Sequence, residues 1–236
     1  MLLFYQKDIV IGEQPLGEEE AKHCLRVLRM QKGDKLYFTD GKGHLAHAVI
    51  SEDTLKKARI QVIQLETHPN PSFHTHIAIA PTKNIERMEW FVEKCVEIGV
   101  HSLSFVLTKY TERSYFNMER IEKKAVSAMK QSLKYWLPTL NAPQSFDNFL
   151  TTLTPQNYPQ LFIAYVDKTN PTTLFQTAQA HLPTCILIGP EGDFSLDEVE
   201  KAQQKGFIKV GLGESRLRTE TAGIVACTTM QMIQEK

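Results

Sequence analysis

The stretch Ile186-Leu187-Ile188-Gly189-Pro190-Glu191-Gly192-Asp193-Phe194-Ser195 passes from an apolar run into a turn rich in Gly and Pro. Ser195 and Glu198 then have the spacing of a capping box that opens a helix. Glycines in such a turn let backbone amides approach a bound molecule closely. In open α/β sheets the ligand crevice lies beyond the carboxyl ends of the strands. A second stretch repeats the arrangement: residues 207–212 read as a strand, and Gly213-Glu214-Ser215-Arg216-Leu217-Arg218-Thr219-Glu220-Thr221-Ala222-Gly223 leads from it into a helix. One such turn reads first as a plain strand–helix connection, whereas two at the same sheet end point to a ligand site. Gly211 and Gly213 lack the third glycine of a dinucleotide fingerprint, and no G-x-x-x-x-G-K-[ST] occurs, so Rossmann and P-loop nucleotide sites are set aside.

Holding two such loops together calls for a largely parallel sheet covered by helices, and the chain beyond residue 70 has that rhythm. Strands are predicted at 76–80, 103–107, 161–166, 185–188 and 207–212. Between them, Met88, Phe91, Val92, Cys95 and Ile98 form one face of a helix over 85–98, with Gly99 as its stop. Asn117 can cap a helix through Ile121, Ala125, Ala128 and Met129 that must end before Pro138. The closing helix spans 219–234. Its apolar residues, Ala222, Ile224, Val225, Ala226, Cys227, Met230, Met232 and Ile233, go nearly all the way round, so it needs neighbours on every side, within one subunit or across an interface. The first seventy residues differ. A helix over 18–30, with Ala21, Cys24, Leu25 and Leu28 in helical register, is followed by strands at 35–39, 45–50 and 59–65. Two prolines in a polar stretch over 67–72 set a boundary, giving domains 1–70 and 71–236.

The composition excludes several classes. Of 236 residues, 42% are hydrophobic and 23% charged, a globular balance rather than that of a disordered or collagenous chain. The 27 basic and 27 acidic residues cancel, so any attraction to nucleic acid must be local. Such a local cluster exists: Lys22, Arg26, Arg29, Lys32 and Lys35 face Asp34 alone across 22–35, a one-sign patch suited to phosphates. His23 belongs either to that surface or to the core. Cys24, Cys95, Cys185 and Cys227 are scattered, form no CxxC and read as core hydrophobes of a chain in a reducing compartment, with no metal implied. The apolar start, Met1 to Tyr5, is too short for a signal peptide, and no run reaches the ~20 apolar residues of a membrane span, so a soluble, cytoplasmic protein is expected.

Taken together, G-P-E-G-x-F-S at 189–195 and L-G-x-x-x-L-R-T-E-T-A at 212–222 resemble the RsmE family of 16S ribosomal RNA uracil-N3 methyltransferases, in the SPOUT superfamily. His23-Cys24-Leu25-Arg26-Val27-Leu28-Arg29 resembles that family's H-x-x-x-VLR signature, Lys94-x-x-Glu97-x-Gly99-Val100 its K-x-x-ELGV helix end, and Thr111-Glu112-Arg113-Ser114 and Gln131-Ser132 match further stretches. The likeness covers essentially the whole chain. Two departures stand out. Asp193 occupies the place of a third glycine, and Glu214-Ser215 precede Arg216 where Pro-Arg is common.

The resemblance implies a PUA-like N-terminal β-barrel and a C-terminal α/β trefoil-knot domain that binds S-adenosylmethionine, in a homodimer. It implies cofactor contacts at Ile188, Gly189, Gly192, Leu212, Gly213, Leu217 and Thr219. The implied acceptor is N3 of a uridine in 16S rRNA of the small ribosomal subunit, uridine 1498 in the usual numbering. Such a cofactor carries an activated methyl, so the protein's task is positioning, but uracil N3 becomes nucleophilic only as its proton leaves. Arg218 is the candidate to stabilise charge on the uracil carbonyls. Glu191 or Glu220 could take the proton, Glu220 having the alternative role of complementing the helix N-terminus. Arg216 could grip a phosphate. The runner-up function is a non-catalytic RNA-binding or assembly factor of the same fold, which the two departures would favour.

Overall fold

Alternating apolar residues build the first sheet from β1 (Leu3–Tyr5), β2 (Gly12–Pro15), β3 (Lys35–Thr39), β4 (His44–Glu52) and β5 (Arg59–Thr67), in the order β1-β3-β4-β5-β2. β1 runs parallel to β3, and the other pairs are antiparallel. Register sets Leu36 opposite Ala48, Phe38 opposite Ala46, Ile50 opposite Ile60 and Ala48 opposite Val62, and all of these are buried on one face. The structure, a computed structural model, describes residues 1–71, 73–112, 117–166 and 172–235. Ser72 of the proline-bearing stretch and Arg113 and Ser114 of the Thr111-Glu112-Arg113-Ser114 motif lie outside the described residues.

The helix expected over 18–30 is shorter and wound differently. An α-helical turn, α1 (Glu18–Ala21), continues as a π-helical segment over Lys22–Val27, where Leu28 N–H reaches back five residues to the His23 carbonyl at 3.0 Å. Arg29 then sits outside the helix at φ 56°. Ala21 and Cys24 are buried and Leu25 and Leu28 pack on the same core, as the apolar pattern requires. With Lys22 and Arg26 in the wider π-helical winding and Arg29 beyond it, these three basic residues do not share one regular α-helical face.

The chain divides into two compact units, 1–70 with 126–137 and 71–125 with 138–236. The uninterrupted run over 71–236 is therefore corrected: Val126–Leu137 groups with the first unit. The reason is hydrogen bonding to the β3–β4 turn. Gly43 N–H donates to the Tyr135 carbonyl at 2.8 Å, Leu137 N–H to the Gly41 carbonyl at 2.9 Å, and the Thr39 hydroxyl to the Tyr135 carbonyl at 3.2 Å. Lys130 Nζ lies 2.6 Å from the buried Glu20.

The second unit contains β6 (Thr75–Ile79), α2 (Ile85–Ile98), β7 (Ser102–Leu107), α3 (Met118–Gln131, whose last turns belong to the first unit), β8 (Thr139–Ser145), α4 (Phe146–Thr152), β9 (Gln160–Ala164), α5 (Leu174–Thr177), β10 (Thr184–Ile188), α6 (Leu196–Gln204), β11 (Ile208–Val210) and α7 (Thr219–Gln234). The strands form a parallel sheet in the order β11-β9-β10-β6-β7-β8. Every residue of β6 and β10 is buried, as expected of central strands covered on both faces. The predicted signals hold: Gly99 ends α2 at φ 117°, Asn117 accepts from Glu119 N–H at 2.9 Å, and Ser195 and Glu198 close a reciprocal capping box, while Asn84, which the sequence did not single out, caps α2 by accepting from Glu86 N–H at 2.9 Å. β8 escaped prediction because it contains Pro143. Its place at the sheet edge, with a register irregularity opposite Ser104 and Val106, accommodates the missing N–H.

Two features of this core give measurable expectations. A methyl group at Gly223 of α7 would lie 2.5 Å from Phe91 Cε2 on α2 and 3.1 Å from Ile79 Cδ1 on β6, and Phe91 is fully buried. Gly223→Ala should therefore lower stability by about 1–3 kcal/mol in urea unfolding despite the ~1 kcal/mol that alanine gains in a helix. His76 on β6 is buried between the Phe149 and Tyr158 rings, with Nε2 2.8 Å from the Ser104 hydroxyl. Burial pushes its pKa down from 6.5 to about 4. As pH falls the unfolded chain takes up the proton first, so stability should drop between about pH 6.5 and 4 and level off below, by up to about 3 kcal/mol. His76→Gln should flatten that limb of the acid-unfolding curve.

Candidate active site

Because the sheet is parallel, the loops after β6, β7, β9, β10 and β11 leave the same edge. β10 and β11 flank β9, so the two predicted ligand loops start about 10 Å apart, two strand spacings. Ala80 N–H donates to the Ile188 carbonyl at 2.9 Å and ties the ends of β6 and β10. Side chains at either glycine of the first loop would crowd neighbours: a Cβ at Gly189 would stand 3.0 Å from the Phe194 ring, and one at Gly192 3.3 Å from Tyr110 Cβ.

Asp193 adopts φ 62°, the left-handed region that glycine favours and that aspartate tolerates better than most residues. Its Oδ1 accepts from Phe194 N–H at 2.8 Å, and its carboxylate also accepts from Val166 N–H, which links the β9 and β10 loops. Burial holds its pKa above the usual aspartate value, against the opposing effects of these bonds and of the Arg216 charge. The departure from a third glycine thus keeps the backbone conformation that a glycine would supply.

The second loop is anchored at Gly211, whose N–H donates to the Thr172 carbonyl at 2.9 Å and whose carbonyl accepts from Leu174 N–H at 3.0 Å. Leu212 and Leu217 are half-buried apolar side chains on either side of an exposed polar stretch. Gly213 stands at φ 117° with open space where a Cβ would project. Arg218 occupies the N-cap position of α7, with its side chain exposed, while Thr219 and Glu220 are buried in the first turn.

One residue that the sequence did not single out joins the two loops. Arg87, on the first turn of α2, donates from Nη1 to Glu191 Oε1 at 3.0 Å and places Nε 3.9 Å from Glu220 Oε1. The other oxygen of the buried Glu220 has no hydrogen-bond partner among the described residues. Glu220 is therefore more than a complement to the helix N-terminus: it is a buried carboxylate with one oxygen unspent. Two hollows of about 420 and 540 Å³ open beside Glu191; Gly192 and Tyr110 line the smaller, Arg87 the larger, and Lys83 and Glu112 both. Leu212, Gly213, Leu217, Arg218 and Thr219 do not line them. The entry of the β6 loop into a capped helix was the available signal for Lys83 and Arg87, but their acidic partners are remote in sequence.

In the first unit, Lys22 pairs with Glu18 at 2.6 Å and His23 turns partly inward, its ring edge-on to Phe4 at 5.7 Å. Arg26, Arg29 and Lys32 are exposed. The four cysteines are free and buried, and burial pushes the Cys24 thiol up to about 12. Among the described residues no group of three or more His, Cys, Asp or Glu side chains is placed to hold a metal, and no helix is long and apolar enough to cross a membrane.

An RNA methyltransferase domain model matches residues 68–231, and an RNA methyltransferase PUA domain model matches residues 16–63. The chain belongs to the RsmE family of RNA methyltransferases. Ribosomal RNA small subunit methyltransferase E of Synechocystis is 28% identical over 240 residues, covering 99% of this chain and 78% of its own. The Bacillus subtilis protein of the same name is 27% identical over 225 residues, covering 90% and 87%. Among solved structures, a "probable rRNA-methyltransferase" from Porphyromonas gingivalis is 44% identical, with a TM-score of 0.92 over 100% of this chain and 99% of that one. A Legionella pneumophila protein, solved in complex with the bound cofactor SAM, is 25% identical, with a TM-score of 0.87 over 98% and 97%. The RsmE-type α/β fold with a PUA-like first domain accounts for both sheets.

The Asp193 geometry is open to test by substitution. Asp193→Ala keeps the left-handed backbone but loses both side-chain bonds, whereas Asp193→Gly loses the bonds and relieves the strain. Urea unfolding should therefore rank wild type above the Gly variant and the Gly variant above the Ala variant, with about 1 kcal/mol between the last two.

Proposed function

We propose that this protein transfers a methyl group from S-adenosylmethionine to N3 of a uridine in 16S ribosomal RNA of the small ribosomal subunit. The observation that carries this reading is the meeting of two glycine-bearing loops with the buried, half-unpartnered carboxylate of Glu220 at one end of a parallel sheet. A buried carboxylate oxygen without a partner calls for a positively charged or proton-donating ligand group, and a sulfonium cofactor with an ammonium tail offers both. The family membership and the bound SAM of the Legionella relative support the same choice.

S-adenosylmethionine supplies a methyl already activated on sulfur. Ile188, Gly189, Gly192, Leu212, Gly213, Leu217 and Thr219 would hold it, the glycines by close backbone approach and the two leucines by apolar faces for the adenine. Arg218, exposed and with no ion-pair partner among the described residues, would stabilise the negative charge that spreads over the uracil carbonyls as the N3 proton leaves. Glu191, held in place by Arg87, would accept that proton. Arg26, Arg29 and Lys32, with Lys22 and His23 beside them, would contact RNA phosphates.

The reading extends to a barrel-like closure of the first sheet, a trefoil knot in the second unit and a homodimer acting in the cytoplasm. Support for the knot comes from α7, which packs against α2, α5, β6 and β10. Support for the dimer comes from Met232, 59% exposed on α7. Ile233 is buried in its own chain, so Met232→Glu is the cleaner probe of that interface. The alternative of a factor without turnover loses its argument from Asp193, whose backbone keeps the glycine-like geometry.

Incubation with radiolabelled cofactor and unmodified small subunits, followed by nucleoside analysis, should yield N3-methyluridine; methyl on any other atom, or none, would overturn the assignment. Arg218→Lys keeps the charge but loses the planar fork of donors. Single-turnover methyl transfer should then fall by about 10²-fold with cofactor affinity within twofold of wild type. A lysine variant at the wild-type rate removes Arg218 from the chemistry.

A further inference from the structure

The two hollows beside Glu191 have a chemistry that the cofactor loops do not explain. They share Lys83, Glu112 and Glu191 on their rims, over the carboxyl ends of β6, β7 and β10. Tyr110 lines the smaller hollow, lies against Gly192 and leaves 47% of its surface exposed, with Lys109 Nζ 5.5 Å from its ring centroid. An exposed aromatic ring in a hollow lined by a cation is the combination on which proteins stack single nucleobases. Lys83 pairs with Glu112 at 3.4 Å, and Arg87, whose Nε also stands 3.9 Å from the buried Glu220, pairs toward solvent with Glu191 at 3.0 Å. Solvent-facing pairs of this kind are weak and exchange readily for a stronger anion such as a phosphate.

We infer that this depression is the subsite for the acceptor nucleotide, a pyrimidine nucleoside 5′-phosphate turned out of the RNA, with its base stacked on Tyr110 and its phosphate between Lys83 and Arg87. The inference rests on the methyl-transfer reading above, because Gly192 joins Tyr110 to the cofactor loop and Glu191 joins Arg87 to it. Unstacking a base is the general requirement for enzymes that modify one, and a waiting aromatic platform offsets its cost. Phosphate capture by Arg87 would also loosen its hold on Glu191, so that the carboxylate is released when the acceptor arrives. Arg87 and Lys83 thus act as positioning residues, and Tyr110 as the base contact.

The test uses the full chain saturated with S-adenosylmethionine and follows uridine 5′-monophosphate and uridine by ligand-observed NMR titration, with cofactor affinity measured separately by calorimetry. Wild type should bind the monophosphate more tightly than the nucleoside. Tyr110→Ala should weaken monophosphate binding about tenfold, and Tyr110→Trp should restore it. Lys83→Met should abolish the preference for the phosphate, and all three variants should keep cofactor affinity within twofold. Monophosphate binding unchanged in Tyr110→Ala, failure of the tryptophan to restore it, or cofactor affinity falling in step with it would each overturn the inference. Wild type that binds the cofactor but neither uridine ligand would overturn it while leaving the methyl-transfer reading standing. Wild type that binds the nucleotide but not the cofactor would instead sink the reading on which it rests.

Discussion

Parallel strands cannot be joined by tight hairpins, and this constraint governs the second unit. Each strand must be reached by a crossover, so every carboxyl end opens at one edge of the sheet and every functional loop is delivered there. β10 is the strand on which this depends. It is buried along its whole length, pairs with β6 on one side and β9 on the other, and hands its end to the Gly189–Gly192 turn. With Ala80 bonded to the Ile188 carbonyl, the loop of β6 is held beside that of β10 before any side chain contributes.

Charge then organises what the backbone has gathered. Glu220 is buried at the start of α7, a position that is costly for a carboxylate unless a cation stands near. Arg87 provides that cation and also reaches Glu191, so α2, α7 and the β10 loop are linked through a single guanidinium with several donors. Close packing at Gly223 brings α7 near enough to α2 for this to occur. The site is thereby coupled to the core: the helix contact that stabilises the fold also sets the distance over which Arg87 must act.

Much of the second unit was legible from residue order, because its signals are local. Gly99, Asn117 and the Ser195–Glu198 pair each act on a backbone group within a few residues, and each does so in the structure. The errors fall where a distant partner overrides a local preference. Pro143 argues against a strand unless the strand lies at a sheet edge, and no local pattern reveals an edge. The basic helix was expected to be regular, but its apolar residues fit their core through a π-helical segment. Val126–Leu137 was read with its sequence neighbours, whereas its hydrogen-bond partners lie around residues 39–43.

The same division holds for the site. Sequence alone determined the two glycine-bearing loops, the strand-to-helix settings that carry them and the motifs that mark the family, since these depend on residue type and short spacing. Only the tertiary structure decided that Asp193 could replace a glycine, because the sign of a backbone φ is not written in the residue's name. It alone brought Arg87 to Glu191 across 104 positions of chain and set Tyr110 against Gly192. Those contacts arise because strands far apart in sequence become neighbours in one sheet, and the order of strands in a sheet is fixed by packing among all of them rather than by any segment alone.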